Sequence, residues 1–307
     1  TKEPAGRIKL NNITKNNLDN VSVEIPKNMT TVFTGVAGSG KSTLLSEGLK
    51  AKEDCIFVNQ KSIHTSSRSN VLTYMNVFDD IRSFFSKKTG LKKSMFSYNS
   101  EGACPECGGK GVIKTELAFM PELSQVCELC QGSRYKEEVL NAKVDGYSIA
   151  DILALTVEDA INLFEENKTV RERLCHLEQT GLQYMTLGQS LSTLSGGEMQ
   201  RLKLSWHLDG DSSDTVYVFD EPTTGLHEKD IPTLLECFER LKEADNTVII
   251  VEHNLTMMTH ADWLIDIGPG AGNNGGRVLY SGSPGGIFEV EESVTGKHLK
   301  RYIDSKG

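Results

Sequence analysis

The alternation of hydrophobic and polar positions near the start of the chain predicts a half-buried strand. Val21, Val23 and Ile25 occupy every second position, and Pro26 ends the pattern. Short runs of apolar and β-branched residues predict four further strands, at 31–34, 55–58, 216–219 and 248–251. The last two runs are continuously apolar, which is typical of parallel strands covered by helices on both faces. We therefore expect an α/β core.

The middle of the chain departs from this α/β rhythm. Ser, Asn, Lys and aromatic residues dominate 61–100, and a stretch rich in Gly and Cys follows at 102–132. Residues 148–180 carry apolar side chains at helical spacing, with Asp151 and Thr156 as expected helix caps. The predicted organisation is a core in two parts, 1–60 and 191–307, interrupted by an inserted domain at 61–190.

Composition narrows the class of protein. With 307 residues, 38% hydrophobic and 24% charged, the chain suits about two globular domains. No apolar run reaches the roughly 18 residues that a membrane span needs, so no membrane association is expected. A net charge of −9 argues against a protein that coats nucleic acid over its whole surface. The first residues predict no signal peptide, and the missing initiator Met is compatible with a fragment.

The seven cysteines divide into two tight pairs and three isolated residues. Because no export signal is evident, we expect the chain to occupy the reducing cytoplasm. The isolated cysteines, Cys55, Cys175 and Cys237, lie in apolar surroundings and are expected to behave as small buried hydrophobic residues.

A glycine-rich segment after the strand at 31–34 has the pattern of a phosphate-binding loop. Residues 35–42 fit G-x-x-x-x-G-K-[ST] and lie between a predicted strand and a predicted helix. Lys41 is expected to reach the β- and γ-phosphates and Ser42 to coordinate Mg²⁺. The simpler alternative is a glycine turn with an incidental lysine, which the strand–loop–helix context disfavours. The expected ATP-binding residues are Gly35, Gly38, Ser39, Gly40, Lys41, Ser42 and Thr43.

Two adjacent carboxylates, Asp220 and Glu221, follow the strand at 216–219. Such a pair at the end of an apolar strand is unfavourable unless a cation binds nearby. We expect Asp220 to hold Mg²⁺ and Glu221 to polarise the attacking water. Without the phosphate loop, an ordinary acid pair at a strand-to-turn transition would be the preferred interpretation.

The segment Leu194-Ser-Gly-Gly-Glu198 has the pattern of a helix start. Ser195 and Glu198 fit a capping box, and Gly196 and Gly197 leave backbone N–H groups that can meet an anion. Taken alone, the segment would be a plain helix start. The expected apolar face of the helix consists of Met199, Leu202 and Trp206.

These three elements, in this order, resemble the ATP-binding cassette superfamily. Gln60 matches the family's Q-loop, which implies a catalytic and Mg²⁺-binding role. His253, which alone would suggest a satisfied core histidine, matches the switch histidine that contacts the γ-phosphate. In the family, the phosphate loop of one cassette meets the signature helix of another. The resemblance therefore implies that the signature residues serve a nucleotide bound by a partner cassette: Ser195, Gly196, Gly197 and Glu198.

The paired cysteines have the spacing of a structural zinc site. Cys104 and Cys107 are separated by 19 residues from Cys127 and Cys130, which fits C-x₂-C-x₁₅₋₂₀-C-x₂-C. Four thiolates close a tetrahedral site that leaves no position for catalysis. The alternative is a pair of redox dithiols, but no thioredoxin-like βαβ unit surrounds either pair.

The cassette motifs together with the four cysteines resemble the UvrA family of excinuclease proteins, the damage-recognition ATPases of bacterial nucleotide excision repair. The chain is similar to the C-terminal of that family's two cassettes, with the signature domain inserted in the ATP-binding core. Transporter cassettes carry no such cysteine module. The resemblance covers almost the whole chain and rests on 17–21, 24–26, 77–82, 132–135, 187–189, 193–198, 223–227 and 261–266.

The family carries two cassettes in one chain, whereas this chain carries one. A fragment, half of a split protein and a half-size paralogue all fit the motifs, and shortened paralogues associated with antibiotic self-resistance share them. The resemblance implies ATP, Mg²⁺ and Zn²⁺ as cofactors. It also implies three partners, namely a second cassette (an N-terminal half or a second copy), damaged duplex DNA and other excision-repair proteins.

Residues 61–100 form a basic region, with seven Lys or Arg against two Asp. Phe84, Phe85, Phe96 and Tyr98 lie between the charges. Lys and Arg can neutralise DNA phosphates without reading bases, which suits a protein that senses DNA deformation. The alternative is a solvated charged face whose aromatics fill a small core. The resemblance favours DNA binding, with candidate residues Arg68, Arg82, Lys87, Lys88, Lys92 and Lys93.

The sequence therefore predicts an α/β P-loop ATPase core, a parallel sheet with flanking helices, interrupted by a zinc-bearing and partly helical signature domain. The expected reaction is in-line attack of water on the γ-phosphate, coupled to recognition of DNA damage and dependent on a second cassette. The expected catalytic residues are Glu221, Lys41, His253 and Gln60. Two rival functions remain: a nucleotide-gated binding protein outside repair, including one in drug resistance, and the cytosolic ATPase component of a transporter.

Overall fold

A computed structural model describes residues 4–52, 54–58, 68–115, 123–208, 213–272 and 275–306. The chain divides into two compact units. The first unit consists of 1–61, 179–181 and 196–307. The second unit consists of 62–178 and 182–195. Within the described residues, no helix is both long enough and apolar enough to cross a lipid bilayer.

The strands are distributed between both units. They are β1 (Arg7–Lys15), β2 (Leu18–Pro26), β3 (Thr30–Thr34), β4 (Cys55–Val58), β5 (Val112–Thr115), β6 (Leu123–Val126), β7 (Val216–Asp220), β8 (Thr247–Val251), β9 (Trp263–Gly268) and β10 (Arg277–Gly282). The helices are α1 (Lys41–Gly48), α2 (Val71–Tyr74), α3 (Phe78–Thr89), α4 (Glu137–Asn141), α5 (Ile149–Ala154), α6 (Val157–Leu163), α7 (Lys168–Gln179), α8 (Gly196–His207), α9 (Ile231–Glu243), α10 (Leu255–Thr259) and α11 (Val294–Lys306).

The first unit is built on a sheet whose described strands follow the order β10–β9–β3–β8–β7–β4. The strands from β9 to β4 run parallel, as the apolar runs predict. The expected all-parallel sheet is wrong at one edge, where β10 runs antiparallel to β9. The connection between these two strands is too short for the crossover that a parallel pair needs, so the chain turns back on itself.

Both faces of this sheet are covered. On one face, Leu44 and Leu45 of α1 and alternate residues of β1 and β2 pack against Phe33 and Ile265. On the other face, α9 places an apolar stripe, including Leu234 and Phe238, against the sheet. β3 and β8 are buried along their whole length, which explains why their sequences lack polar alternation.

The predicted strand at 21–25 lies within β2, which pairs with β1 in an antiparallel hairpin. The sequence pattern does not predict β1. Its alternation is confined to Ile8 and Leu10, and the rest of the strand is largely exposed. The hairpin turns at Asn16, whose φ of 55° is the left-handed conformation that Asn tolerates in tight hairpin turns.

In the second unit, the predicted helical region at 148–180 consists of three helices, α5, α6 and α7. Thr156 caps α6 through its side chain, as expected. The cap of α5 is Ser148, and Asp151 is the reciprocal partner in the capping box three residues later. The expectation that Asp151 itself caps the helix is therefore wrong by three positions.

Candidate nucleotide-binding site and cysteine cluster

The segment between β3 and α1 has the backbone of a phosphate-binding loop. Gly35, Gly38 and Gly40 have φ values of 127°, 76° and 107°, which residues with side chains rarely adopt. A Cβ atom at Gly35 would lie 1.9 Å from the carbonyl oxygen of Ile267, so only glycine fits there. The ammonium of Lys41 donates to the carbonyl oxygens of Gly35 (2.9 Å) and Val36 (3.0 Å), which holds it over the loop.

Asp220 and Glu221 lie at the carboxyl end of β7, beside the end of β8. Glu221 has a φ of 48°, and its N–H donates to the carbonyl oxygen of Val251 at 2.9 Å. The Nε2 atom of His253 lies 3.9 Å from Oε1 of Glu221. Both side chains are about half exposed, so a nucleotide or water can reach them.

Burial disfavours the charged forms of both Lys41 and Asp220. It lowers the pKa of the Lys41 ammonium, although the nearby carboxylates Asp266, Glu221 and Asp220 act in the opposite direction. Burial also raises the pKa of Asp220, and the adjacent Glu221 carboxylate raises it further. A phosphate beside Lys41 or a divalent cation beside Asp220 would stabilise the charged forms. Ser42 and Asp220 line one pocket.

Two buried polar side chains that sequence reasoning missed hold the strand ends together. The amide Nε2 of Gln200, in α8, donates to the carbonyl oxygens of Val58 and Asp220, each at 3.0 Å. The carboxylate of Glu252 accepts from the N–H groups of Thr223 (3.0 Å), His253 (2.7 Å) and Asn254 (3.0 Å). Two features of the sequence could have identified these residues. Gln200 is a polar residue at an otherwise buried helical position, and Glu252 is an acid at the end of a buried strand.

The signature segment lies at the beginning of α8. Ser195 precedes the helix and belongs to the second unit, whereas Gly196, Gly197 and Glu198 form the first turn in the first unit. A Cβ atom at Gly197 would lie 2.2 Å from the carbonyl oxygen of Thr224, so glycine is required by close packing. Met199 and Leu202 are buried as expected. Trp206 is 40% exposed, so its assignment to the apolar face is wrong.

Gln60 lies outside the described residues, two positions after the end of β4.

In the second unit, the sulfur atoms of the paired cysteines form one buried cluster. All four lie within 4.8 Å of one another, and the Sγ–Sγ distances are 3.9 Å for Cys104–Cys127 and 3.7 Å for Cys107–Cys130. Sulfurs held at about 2.3 Å from a tetrahedral zinc ion are about 3.8 Å apart, so the cluster fits this ion. These distances do not fit disulfide bonds, whose sulfurs are about 2 Å apart.

The backbone favours the thiolate form of Cys107, whereas burial and the hydrogen bond to Glu106 raise the pKa of Cys127 to about 12. The N–H of Gly111 donates to Sγ of Cys107 at 3.2 Å. Burial raises the pKa of Cys107, but this and other hydrogen bonds outweigh it and lower the pKa to about 7. A Cβ atom at Gly109 would lie 1.7 Å from the carbonyl oxygen of Tyr98, so the turn can close only with glycine.

Of the isolated cysteines, Cys237 is buried as predicted, and its burial raises the pKa of the thiol to about 12. Cys55 and Cys175 are only partly buried, so the same expectation is wrong for them. Cys55 lies in β4, at the edge of the sheet.

In the basic region, three of the four aromatic residues that lie between the charges form a core, whereas Phe84 is only partly buried. Phe85, Phe96 and Tyr98 are buried, and the rings of Phe85 and Phe96 are 5.3 Å apart. This arrangement agrees with the alternative interpretation, in which the aromatic side chains fill a small core. It does not decide whether the basic side chains bind DNA. Lys87, Lys88 and Lys92 are exposed.

The other three basic candidates have partners within the second unit. Arg82 and Lys93 both form ion pairs with Asp79. Arg68 donates to the carbonyl oxygen of Gly108 at 3.3 Å. Among the described candidates, Lys87, Lys88 and Lys92 are the exposed basic residues, and the side chain of Lys93 is 40% exposed despite its ion pair.

Comparison with known proteins agrees with the geometry of the core. The family model described as "ABC transporter" matches residues 18–224. UvrABC system protein A from Rickettsia conorii is 42% identical over 96% of this chain, and that from Bacillus subtilis is 42% identical over 99%. The chain spans about a third of the length of these relatives, 34% and 35% respectively. The crystal structure of UvrA2 from Deinococcus radiodurans matches 98% of this chain and 40% of its own, with 40% identity and a TM-score of 0.89.

Proposed function

The chain belongs to the ABC transporter family of ATP-binding domains, and from that premise we propose that its first unit binds Mg²⁺-ATP and hydrolyses it to ADP and phosphate. One observation carries the proposal. Lys41 after β3, Asp220 and Glu221 at the end of β7 and His253 after β8 converge at the carboxyl edge of one sheet. Ligands of open α/β sheets bind at this edge.

Each polar group has a separate role in the proposed reaction. Lys41 exchanges its bonds to loop carbonyls for bonds to phosphate oxygens, and Ser42 and Asp220 hold Mg²⁺, which neutralises phosphate charge. Glu221 accepts a hydrogen bond from the attacking water and aims it along the line of the breaking bond. His253, beside Glu221, contacts the γ-phosphate. We assign Gln60 a supporting role in Mg²⁺ binding and catalysis, based on its place after β4.

The direct test is the affinity for Mg²⁺-ATP of Lys41→Ala compared with Lys50→Ala. Loss of the Lys41 ammonium removes charge-assisted hydrogen bonds and should weaken binding about 100-fold. Lys50 is exposed just beyond α1, so Lys50→Ala provides a matched charge change. Equal affinities for the two variants would contradict the proposed site.

We further propose that the site is completed by the signature segment of a second cassette, either an N-terminal half or a second copy. The first turn of α8 begins at Gly196 and Gly197, and the positive potential of a helix start can stabilise a γ-phosphate presented by another molecule. If two copies pair, turnover per chain rises with chain concentration, and Ser195→Ala lowers it without weakening ATP binding. Concentration-independent turnover that Ser195→Ala leaves unchanged would contradict a composite site.

We propose that ATP turnover is coupled to recognition of damaged duplex DNA in nucleotide excision repair, with other repair proteins as partners. The similarity to UvrABC system protein A along nearly the whole chain supports this function over a role in drug resistance or other nucleotide-gated binding. The four-cysteine cluster gives no support to a transporter component. The free, closely spaced thiols suit the reducing cytoplasm.

Fluorescence anisotropy with intact and bulky-adduct duplexes tests this coupling. The double variant Lys87→Gln/Lys92→Gln should bind DNA more weakly. The slope of log affinity against log salt concentration should fall by the amount expected for about two lost phosphate contacts. Lys297→Gln/Lys300→Gln makes the same charge change on exposed positions of α11. Identical binding by both double variants would remove the basic region from the DNA-binding surface.

The second unit is proposed to be the inserted signature domain, and its cysteine cluster to hold one structural Zn²⁺ ion. The sulfur geometry and the N–H donor to Cys107 support the ion, and the cluster leaves no position for a substrate.

A further inference from the structure

The phosphate-binding loop is held from outside by two segments that lie far from it in the sequence. One is the tight turn of the β1–β2 hairpin at Asn17. The other, here called the support loop, comprises residues 269–272 and 275–276, between β9 and β10. Neither segment belongs to the phosphate-binding pattern at 35–42.

The side-chain amide of Asn17 contacts both segments at once. Its Nδ2 atom lies 3.0 Å from the carbonyl oxygen of Ser39, 3.4 Å from that of Gly38 and 3.3 Å from that of Gly272. Because all three neighbours are acceptors, the amide NH₂ must face them. Asn17 therefore connects the phosphate-binding loop to the support loop.

The support loop binds the same carbonyl groups through its backbone. The N–H of Gly272 donates to Gly38 O at 3.2 Å, and the N–H of Gly276 donates to Ser39 O at 3.0 Å. The support loop lies close to the phosphate-binding loop, since a Cβ atom at Gly275 would lie 3.2 Å from Cα of Ser39. The same atom would lie 2.4 Å from the carbonyl oxygen of Gly270.

These bonds determine the direction of a backbone N–H group in the proposed phosphate-binding loop. In a trans peptide the C=O and the following N–H point in opposite directions. Fixing the carbonyl of Ser39 toward Asn17 and Gly276 therefore turns the N–H of Gly40 the other way. Gly40 and Asn17 line one pocket together with Lys41, Ser42 and Thr43.

We propose that Asn17 is a positioning residue that, together with the support loop, keeps the phosphate-binding loop in its nucleotide-accepting conformation before ATP arrives. This inference rests on the proposed function, because it concerns the same nucleotide site. Without Asn17, only a fraction of molecules has the competent loop, and the apparent dissociation constant rises by the inverse of that fraction. Once ATP is bound, its phosphates hold the loop, so kcat changes little.

Calorimetric titration with Mg²⁺-ATP tests the proposal in the full chain. Asn17→Ala should raise Kd about tenfold, the effect of losing one or two hydrogen bonds, with unchanged stoichiometry. Asn17→Asp should bind more weakly still, because its carboxylate faces three carbonyl oxygens. Gly275→Ala should also raise Kd by disturbing the loop from its other side. Asp19→Ala is the control, since Asp19 lies in the same hairpin and makes no side-chain hydrogen bond within the described part of the chain.

The outcomes separate this inference from the proposed function. Failure of the unaltered chain to bind Mg²⁺-ATP would overturn both. Binding by the unaltered chain, with Kd of Asn17→Ala within about twofold of it, would overturn the inference alone. A fall in stoichiometry or kcat with unchanged Kd or KM would also overturn it, because that result marks general structural damage.

Discussion

The nucleotide site of the first unit and the cysteine cluster of the second unit are assembled in different ways. The four cysteines lie close together in the sequence, and the pairing of β5 with β6 brings the two pairs of sulfurs together. Lys41 and His253 are more than two hundred residues apart and meet only because β3 and β8 are neighbours in the sheet. A local motif thus specifies the cluster, whereas the topology of the whole sheet specifies the nucleotide site.

The comparison predicts that the largest effect of a single substitution falls on the cluster. Cys127→Ser removes one of four ligands, and structural zinc contributes about 10 kcal/mol or more to the folding of small domains. We expect zinc to fall from one ion per chain to nearly none and the second unit to lose thermal stability. Elemental mass spectrometry and thermal unfolding measure both effects.

Cys175→Ser is the matched control, because Cys175 lies in α7 and outside the cluster. It should retain one zinc ion per chain. Retention of full zinc content by Cys127→Ser would show that the cluster is not a zinc site, and loss of zinc from both variants would point to general unfolding.

A smaller effect is expected where the sheet is held together by buried hydrogen bonds. Gln200→Met keeps the volume of the side chain but leaves the carbonyl oxygens of Val58 and Asp220 without their amide partner. We expect the free energy of unfolding to fall by about 1–3 kcal/mol. Urea denaturation measures this change.

The matched control for Gln200 is Gln125→Met, at an exposed position in β6. That substitution should alter the free energy of unfolding by less than about 0.5 kcal/mol. If the two variants unfold at the same urea concentration, Gln200 does not hold the ends of β4 and β7 together.

These differences explain how much could be predicted from the sequence. The runs at 216–219 and 248–251 lie within β7 and β8, because burial on both faces leaves an uninterrupted apolar signal, and the run at 31–34 lies within the fully buried β3. β9 was missed because buried Asp266 interrupts its apolar run. β10, at the edge, is only partly buried and has no such run.

The candidate site was predicted only where a motif named its residues. The loop at 35–42 and the carboxylates after β7 follow known spacing. Asn17, Gln200 and Glu252 act through hydrogen bonds to backbone groups that are distant in the sequence, and no spacing rule reports such bonds. The assigned catalytic and DNA-binding roles remain predictions.

The smallest expected effect is a pH dependence at Asp220. Burial and Glu221 raise its pKa, so protonation competes with Mg²⁺ as the pH falls toward that value, and Mg²⁺-ATP affinity should weaken by at most about tenfold per pH unit. The folding stability of the nucleotide-free chain depends on pH in the opposite direction. A raised carboxyl pKa means that the folded state binds the proton more tightly, so this group adds stability as the pH falls.

Calorimetry across the pH range measures the change in Mg²⁺-ATP affinity, and urea denaturation measures the change in stability. Asp220→Asn should have weak Mg²⁺-ATP affinity without this pH dependence, and its stability should lose the corresponding slope. The assignment of Asp220 as a Mg²⁺ ligand fails if the variant retains the affinity and the pH profile of the unaltered chain.

The most direct test of the central claim, an ATPase site at the carboxyl edge of the first unit's sheet, is the turnover of Glu221→Gln. The glutamine keeps the size of the side chain but cannot accept a proton or orient water as a carboxylate does. Glu228→Gln, an exposed position after the same strand, is the control. We predict that Glu221→Gln binds Mg²⁺-ATP as tightly as the unaltered chain and hydrolyses it at least about 100-fold more slowly. Hydrolysis at the unaltered rate would contradict the account.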